Sequence, residues 1–99
     1  MTIATTAIEC VIHAEPAKHF LRLEAIARSV APASGEYSFS VAKRSPTGSS
    51  NNAQSGTFVL RAGEAQVLAT LILDRSAVGN YRAELSLQSD HERFTCTSP

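Results

Sequence analysis

The sequence predicts an all-β protein, an immunoglobulin-like sandwich of two sheets with about seven antiparallel strands. Polar and apolar residues alternate with a period of two along most of the 99 residues, as in half-buried strands. Turn-forming residues separate these segments at intervals of about 8 to 12 residues, a spacing that also fits a small barrel. We expect one domain over residues 1–99, with residues 1–6 as a flexible N-terminal tail.

Four segments carry the strand pattern most clearly. They are 20–30, 34–43, 66–74 and 81–88. In 81–88, Tyr81, Ala83 and Leu85 share one face and the intervening residues are polar, which predicts a half-buried strand. Residues 20–28 are rich in good helix formers, so a helix is the alternative there. The segment 66–74 is apolar on both faces, as in a central strand covered on both sides.

A polar segment, residues 44–55, predicts the one long loop of the protein. It is rich in serine and asparagine and contains proline and glycine, which favour turns and cannot pack a core. A short strand, residues 57–61, follows it. The loop is therefore expected to be exposed.

Cys10 and Cys96 predict a disulfide that ties the first strand to the last. Cys10 shares a strand face with Ile8 and Ile12, and Cys96 shares one with Phe94, so both sulfurs point where apolar side chains point. The first and last strands of such a sandwich lie close together, within the distance that a disulfide requires. The alternative is two buried free thiols in a cytoplasmic protein.

The sequence contains no pattern typical of an enzyme or of a cofactor site. Two distant cysteines and three dispersed histidines lack the spacing of metal ligands, and we expect neither metal nor cofactor. Nucleophile-elbow and phosphate-loop motifs are absent from the sequence. Nine acidic and nine basic residues balance, which argues against binding to duplex nucleic acid. No apolar run reaches the roughly 18 residues that span a bilayer.

Five basic residues are the candidates for binding a partner. They are Arg22, Lys43, Arg44, Arg61 and Arg82. They end strands or occupy outward positions on them, so neighbouring strands would align them as a basic stripe on one sheet face. The alternative is an ordinary solvated face, because glutamates are interleaved with them.

The middle of the chain resembles the CsgH proteins, curli-assembly inhibitors of α-proteobacteria and functional relatives of CsgC. The resemblance lies in the segments 34–43 and 50–56, in Phe58 and in 61–64, and it extends from Cys10 to Cys96. It implies an immunoglobulin-like periplasmic protein that prevents a secreted, curlin-type amyloid subunit from polymerising before export. It also implies a protein that is not an enzyme. We expect the protein to be a monomer. CsgC proteins carry a Cys-x-Cys motif, which this sequence lacks around Cys10, so no redox role is expected from it.

The first residues lack the basic and apolar regions of a signal peptide. If the protein is periplasmic, we therefore expect that its signal peptide has been removed. Two other functions fit the strand pattern. One is an immunoglobulin-like adhesion or assembly module that binds a folded protein. The other, a ligand-binding sandwich, is the weakest, because the chain has no tryptophan and few other aromatic residues.

Overall fold

A computed structural model of the chain describes residues 8–45, 48–89 and 92–98. Seven strands and one short 3-10 turn occupy this part of the chain. They are β1 (Ile8–Pro16), β2 (Phe20–Ser29), β3 (Ala33–Ser45), β4 (Gly48–Leu60), β5 (Ala65–Asp74), the turn Arg75–Ala77, β6 (Tyr81–Ser89) and β7 (Glu92–Ser98). A three-stranded sheet has the order β1-β2-β5 and a four-stranded sheet the order β4-β3-β6-β7, all antiparallel. Two separate sheets confirm the predicted sandwich and exclude the barrel.

The alternation in the sequence places one face of each sheet in a shared core. In β6, Ala83, Leu85 and Leu87 are completely buried, whereas the residues between them face solvent or are half-buried. The segment that could have been a helix is strand β2, because its Leu21 and Leu23 also pack into this core. Burial of these side chains outweighs the weak helix preference of the segment. None of the described residues forms a helix that could cross a membrane.

The predicted loop at 44–55 is wrong, because most of it is strand. Strand β4 begins at Gly48 and pairs with β3 in continuous register, from Ser45 opposite Gly48 to Ala33 opposite Leu60. Residues 46 and 47 lie outside the described residues. The predicted short strand at 57–61 is thus only the end of β4, and Arg61 follows it. Both faces of β4 are exposed over most of its length, so its polar side chains stay in contact with water and there is no desolvation cost.

Strand β5 is an edge strand, so its prediction as a central strand is also wrong. It pairs with β2 alone among the described strands. A bulge at Ala25 and Ile26 leaves Leu68 as an extra residue that packs against the core. Val67 and Ile72 stay 46% and 54% exposed. The bulge and these exposed residues explain why the segment is apolar on both faces.

A disulfide joins Cys10 of β1 to Cys96 of β7, as predicted. The two Cα atoms lie 6.0 Å apart, and the cysteines are separated by 86 positions in the sequence. Each cysteine stands opposite a completely buried neighbour, Ala27 for Cys10 and Leu85 for Cys96. The bond therefore connects the two sheets along one side of the sandwich.

Asp74 fixes the end of β5 where the chain turns toward β6. The Ser76 hydroxyl donates a hydrogen bond of 2.8 Å to its Oδ2 atom, and the Lys43 ammonium lies 3.9 Å from the same oxygen. The pKa of Asp74 is lowered, mainly by the Ser76 hydroxyl, with backbone N–H groups and Lys43 adding to the effect. The guanidinium of Arg75 donates to the carbonyl of Ala17 and holds the turn against the β1–β2 connection.

Reduction of the disulfide should lower the free energy of unfolding by about 4 to 5 kcal/mol, because it frees a long loop in the unfolded chain. Denaturant unfolding with and without reductant measures this change. The double variant Cys10→Ser/Cys96→Ser is the control, since reductant should leave its midpoint unaffected. An equal midpoint for the oxidised and reduced wild-type protein would contradict a stabilising role.

Asp74→Asn should reduce stability at neutral pH and lose that effect in acid. The folded-state pKa lies below the usual value of 3.8, so the carboxylate stabilises the protein above that pH. This contribution disappears as the pH falls through the folded-state pKa. Thermal melts of wild type and variant from pH 7 to pH 2 should therefore converge at the acidic end. Glu36→Gln, another loss of one exposed negative charge, is the control, and a pH-independent difference for Asp74→Asn would contradict the assignment.

Candidate functional site

Two of the predicted basic residues lie together on the outer face of the four-stranded sheet. Arg82 of β6 stands opposite Ala42 of β3, and Ala42 stands opposite Asn51 of β4. Arg44 lies on the same face of β3, two residues beyond Ala42. Both arginines are exposed. We call this surface, formed by Ala42, Arg44, Asn51 and Arg82, the Arg44–Arg82 face.

Two shallow depressions adjoin on this face because small side chains stand between long ones. One, of about 450 Å³, is lined by Ser40, Val41, Ala42, Asn51, Asn52, Ala53, Arg82 and Glu84. The other, of about 430 Å³, is lined by Ala42, Arg44, Gly79, Asn80, Tyr81 and Arg82. Arg82 and Ala42 line both depressions, so the arginine side chain stands between them. Backbone and small side chains form the bottom of each depression. Such a surface admits an extended polypeptide more readily than a compact ligand.

The remaining predicted basic residues lie elsewhere. Lys43 points to the opposite side of the sheet, where its side chain is mostly buried and close to Asp74. Arg61 follows β4 at the other end of the sheet, 12 residues beyond the partner of Arg44 and thus roughly 40 Å away at about 3.3 Å per residue. Arg22 is on the three-stranded sheet, 3.5 Å from Glu24. The five residues therefore do not form one stripe.

Strand β4 carries amide side chains that were predicted to lie in a loop. Asn52 and Gln54 lie on its inner-facing side, and Asn51 lies on its outer-facing side. The Gln54 side-chain amide donates a 3.4 Å hydrogen bond to the carbonyl of Thr70 in β5. The sequence did contain one signal of a hairpin: the residues Pro-Thr-Gly at 46–48, of types that favour turns, lie between two segments of similar length.

The three-stranded sheet exposes an apolar row on its outer face. Val11, Ile26 and Val67 stand opposite one another on its three strands. Val11 is 53% exposed, and Ile26 is half-buried. Charged residues flank the row, with Arg28 and Glu24 on β2 to either side of Ile26. In the described residues, no three histidine, cysteine or acidic side chains cluster as metal ligands would.

One family model and two solved structures match this chain. The sequence model of the family described as CsgH protein matches residues 9–98. The solution structure of R. palustris CsgH superposes with a TM-score of 0.77 at 24% sequence identity, covering 91% of this chain and 89% of that one. The E. coli curli protein CsgC superposes equally well, with a TM-score of 0.77 at 12% identity, covering 94% of this chain and 99% of that one. No curated protein sequence matches the chain.

The family match covers nearly the whole sequence and includes both cysteines and every strand except the first residue of β1. It confirms the resemblance noted in the segments 34–43 and 50–56. The chain belongs to the CsgH family.

Proposed function

We propose that this protein is a periplasmic, chaperone-like inhibitor that keeps curli-type amyloid subunits from polymerising, and that it is not an enzyme. The observation that carries this proposal is the match of residues 9–98 to the CsgH family. The likeness to a protein described as a curli protein supports a role in the same system. The inhibitor acts as a monomer and binds unfolded or partly folded subunits transiently.

The disulfide supports the proposed location. Disulfides form and persist in oxidising compartments such as the bacterial periplasm, and are rare in the cytoplasm. The Cys10–Cys96 bond joins the two sheets of a small protein, for which a bond of this kind is a large fraction of the total stability. A secreted subunit passes through the same compartment before it polymerises outside the cell.

The Arg44–Arg82 face supplies a means of attracting an unfolded subunit. Its two arginines are exposed, and among the described residues that line the adjoining depressions Glu84 is the one acid. Exposed charges of this kind accelerate the first encounter more than they strengthen the complex. The interaction is therefore brief and weakens as salt increases. Transient binding suits an inhibitor that must release its subunit for export.

The other basic residues contribute less to this encounter. Lys43 is neutralised by Asp74 and is mostly buried, and Arg22 is paired with Glu24 on the other sheet. Arg61 is exposed but lies at the far end of the sheet, beside Glu64. Arg44 and Arg82 are thus the principal binding residues, and Arg61 provides a matched control.

The apolar row of the three-stranded sheet favours a second candidate function, an adhesion or assembly module that binds a folded protein. Exposed apolar patches commonly mark protein interfaces. Val11 and Val67 are about half exposed and aligned across the sheet through Ile26. An assembly module would form a lasting complex with a folded partner that co-elutes in size-exclusion chromatography, whereas a transient inhibitor would not.

Substoichiometric protein should lengthen the lag of fibril growth by a purified curlin-type subunit, followed by dye fluorescence. Added salt should shorten this lag toward the uninhibited value, because it screens the arginines. A lag that the protein does not change at low salt would contradict the proposed function.

The double variant Arg44→Glu/Arg82→Glu should inhibit less, with the concentration for half-maximal delay raised about tenfold, the factor that corresponds to roughly 1.4 kcal/mol. Both residues are exposed, so the variant should keep the melting temperature of the wild type to within a few degrees. Arg61→Glu, a charge reversal at the far end of the sheet, is the control and should inhibit like the wild type. Equal inhibition by the double variant and the wild type would remove the Arg44–Arg82 face from the mechanism.

A further inference from the structure

Four of the described strands lie at the edges of the two sheets, and three of these four carry features that discourage a further strand from pairing. Strand β1 has exposed Glu9 and Glu15 and ends at Pro16, and β5 contains the bulge. Strand β7 begins with exposed charged residues and is tied to β1 by the disulfide. Charges, proline, bulges and covering elements are the usual means by which proteins protect sheet edges.

Strand β4 has none of these features. It is 13 residues long, contains no charged residue and no proline, and pairs with β3 without a register shift. Among the described strands it pairs only with β3. In an antiparallel pair, alternate residues of an edge strand direct their N–H and C=O groups away from their neighbour. The segment 49–57, which we call the amide-rich edge, therefore offers a regular row of backbone donors and acceptors.

The side chains of the amide-rich edge indicate what kind of strand would fit beside it. They are amides, hydroxyls and small groups, and all but one of them are exposed. Residues directly opposite each other on neighbouring strands interact best when they match, as in hydroxyl pairs and ladders of asparagine and glutamine. A charged strand would find no side chain of opposite charge on this edge, and a strongly apolar strand would find no large apolar side chain.

We infer that the amide-rich edge binds an extended, uncharged segment of an unfolded polypeptide, rich in asparagine, glutamine and serine, as an added strand of the four-stranded sheet. This inference rests on the proposed function and assigns the part of the subunit that is held. The bound segment has its backbone groups occupied on one side, and the folded protein blocks the approach of further subunits there. The Arg44–Arg82 face, which shares Asn51 with this edge, attracts the chain before it pairs.

A second copy of this protein fits the edge less well. Antiparallel pairing of two β4 strands about their centres would set the polar first half of each against the second half of the other. The second half ends in Phe58 and Leu60, whose side chains are buried in the core. An unfolded chain has no such restriction, because it can present a matching polar segment along the whole edge.

Asn52→Lys tests the inference by adding to the edge the kind of inward-pointing charge that protects edges elsewhere. Asn52 is exposed, so the variant should fold with an unchanged melting temperature. Ser38→Lys is the matched control, because it adds the same charge to an exposed position of β3, which has a strand on both sides. If Asn52→Lys is unstable, Ala53→Lys, at an exposed position on the other face of the same edge, replaces it.

In the fibril-growth assay, Asn52→Lys should need about tenfold more protein than wild type for the same delay, since losing one or two backbone hydrogen bonds is a change of that size. Ser38→Lys should match the wild type. If Asn52→Lys inhibits fibril growth as strongly as the wild type, the inference is overturned and the proposed function is left intact. If the wild-type protein itself does not inhibit, the proposed function fails and the peptide measurement below decides the inference.

That measurement is an NMR titration with a synthetic, uncharged peptide of alternating asparagine, serine and glutamine residues. Chemical-shift changes should concentrate in the amides of residues 49–57 and be absent from the Asn52→Lys variant. Changes centred on another edge or on the apolar row, or no changes at all, would overturn the inference. Shifts in β4 that depend on protein concentration without peptide would also overturn it, in favour of a second copy.

Discussion

The disulfide between Cys10 and Cys96 is the constraint on which the organisation of the sandwich depends. It joins the edge strands of the two sheets on one side of the sandwich. Each cysteine stands beside a completely buried residue of the neighbouring strand in its own sheet. On the other side, β4 and β5 approach each other without a covalent link, and the Gln54 amide bonded to Thr70 spans the gap. A chain of this size buries only about two thirds of its surface, so the bond compensates for a small core. It closes one side and leaves the other accessible.

The accessible side and the basic surface belong to the same sheet. Strand β3 connects them, because it pairs with β4 along its whole length and with β6 near Arg82. Arg44 and Arg82 therefore lie beside the amide-rich edge, with Asn51 common to both surfaces. Attraction by charge acts over a longer distance than pairing by backbone hydrogen bonds. In the proposed mechanism, the two surfaces therefore serve successive steps of one encounter. The three-stranded sheet, with its apolar row, is the opposite layer of the sandwich.

Most of the core was predictable from the sequence, because burial imposes a period of two. Leu21, Leu23 and Leu85 all lie where alternation places them, and the side of each cysteine followed from the same pattern. Strand β4 was not predictable in this way, because neither face of its polar half is buried and no alternation marks it. The separation of Arg61 from the other basic residues was not predictable for another reason. The register of a hairpin decides which strand ends are neighbours, and side-chain type alone does not reveal that register. The bulge in β5 makes both faces of the segment apolar, so the sequence of this edge strand resembles that of a central strand.

Hydrogen exchange of individual backbone amides, followed by NMR in the free, oxidised protein, tests most directly whether the sandwich is open at β4. Every second N–H of an open edge strand faces solvent, whereas a strand with two neighbours has both of its backbone edges paired. We predict alternating fast and slow exchange along residues 49–57, and slow exchange throughout the residues of β3 that pair with β6. Uniformly slow exchange along 49–57 would contradict it, because it would show that the edge is already covered in the free protein.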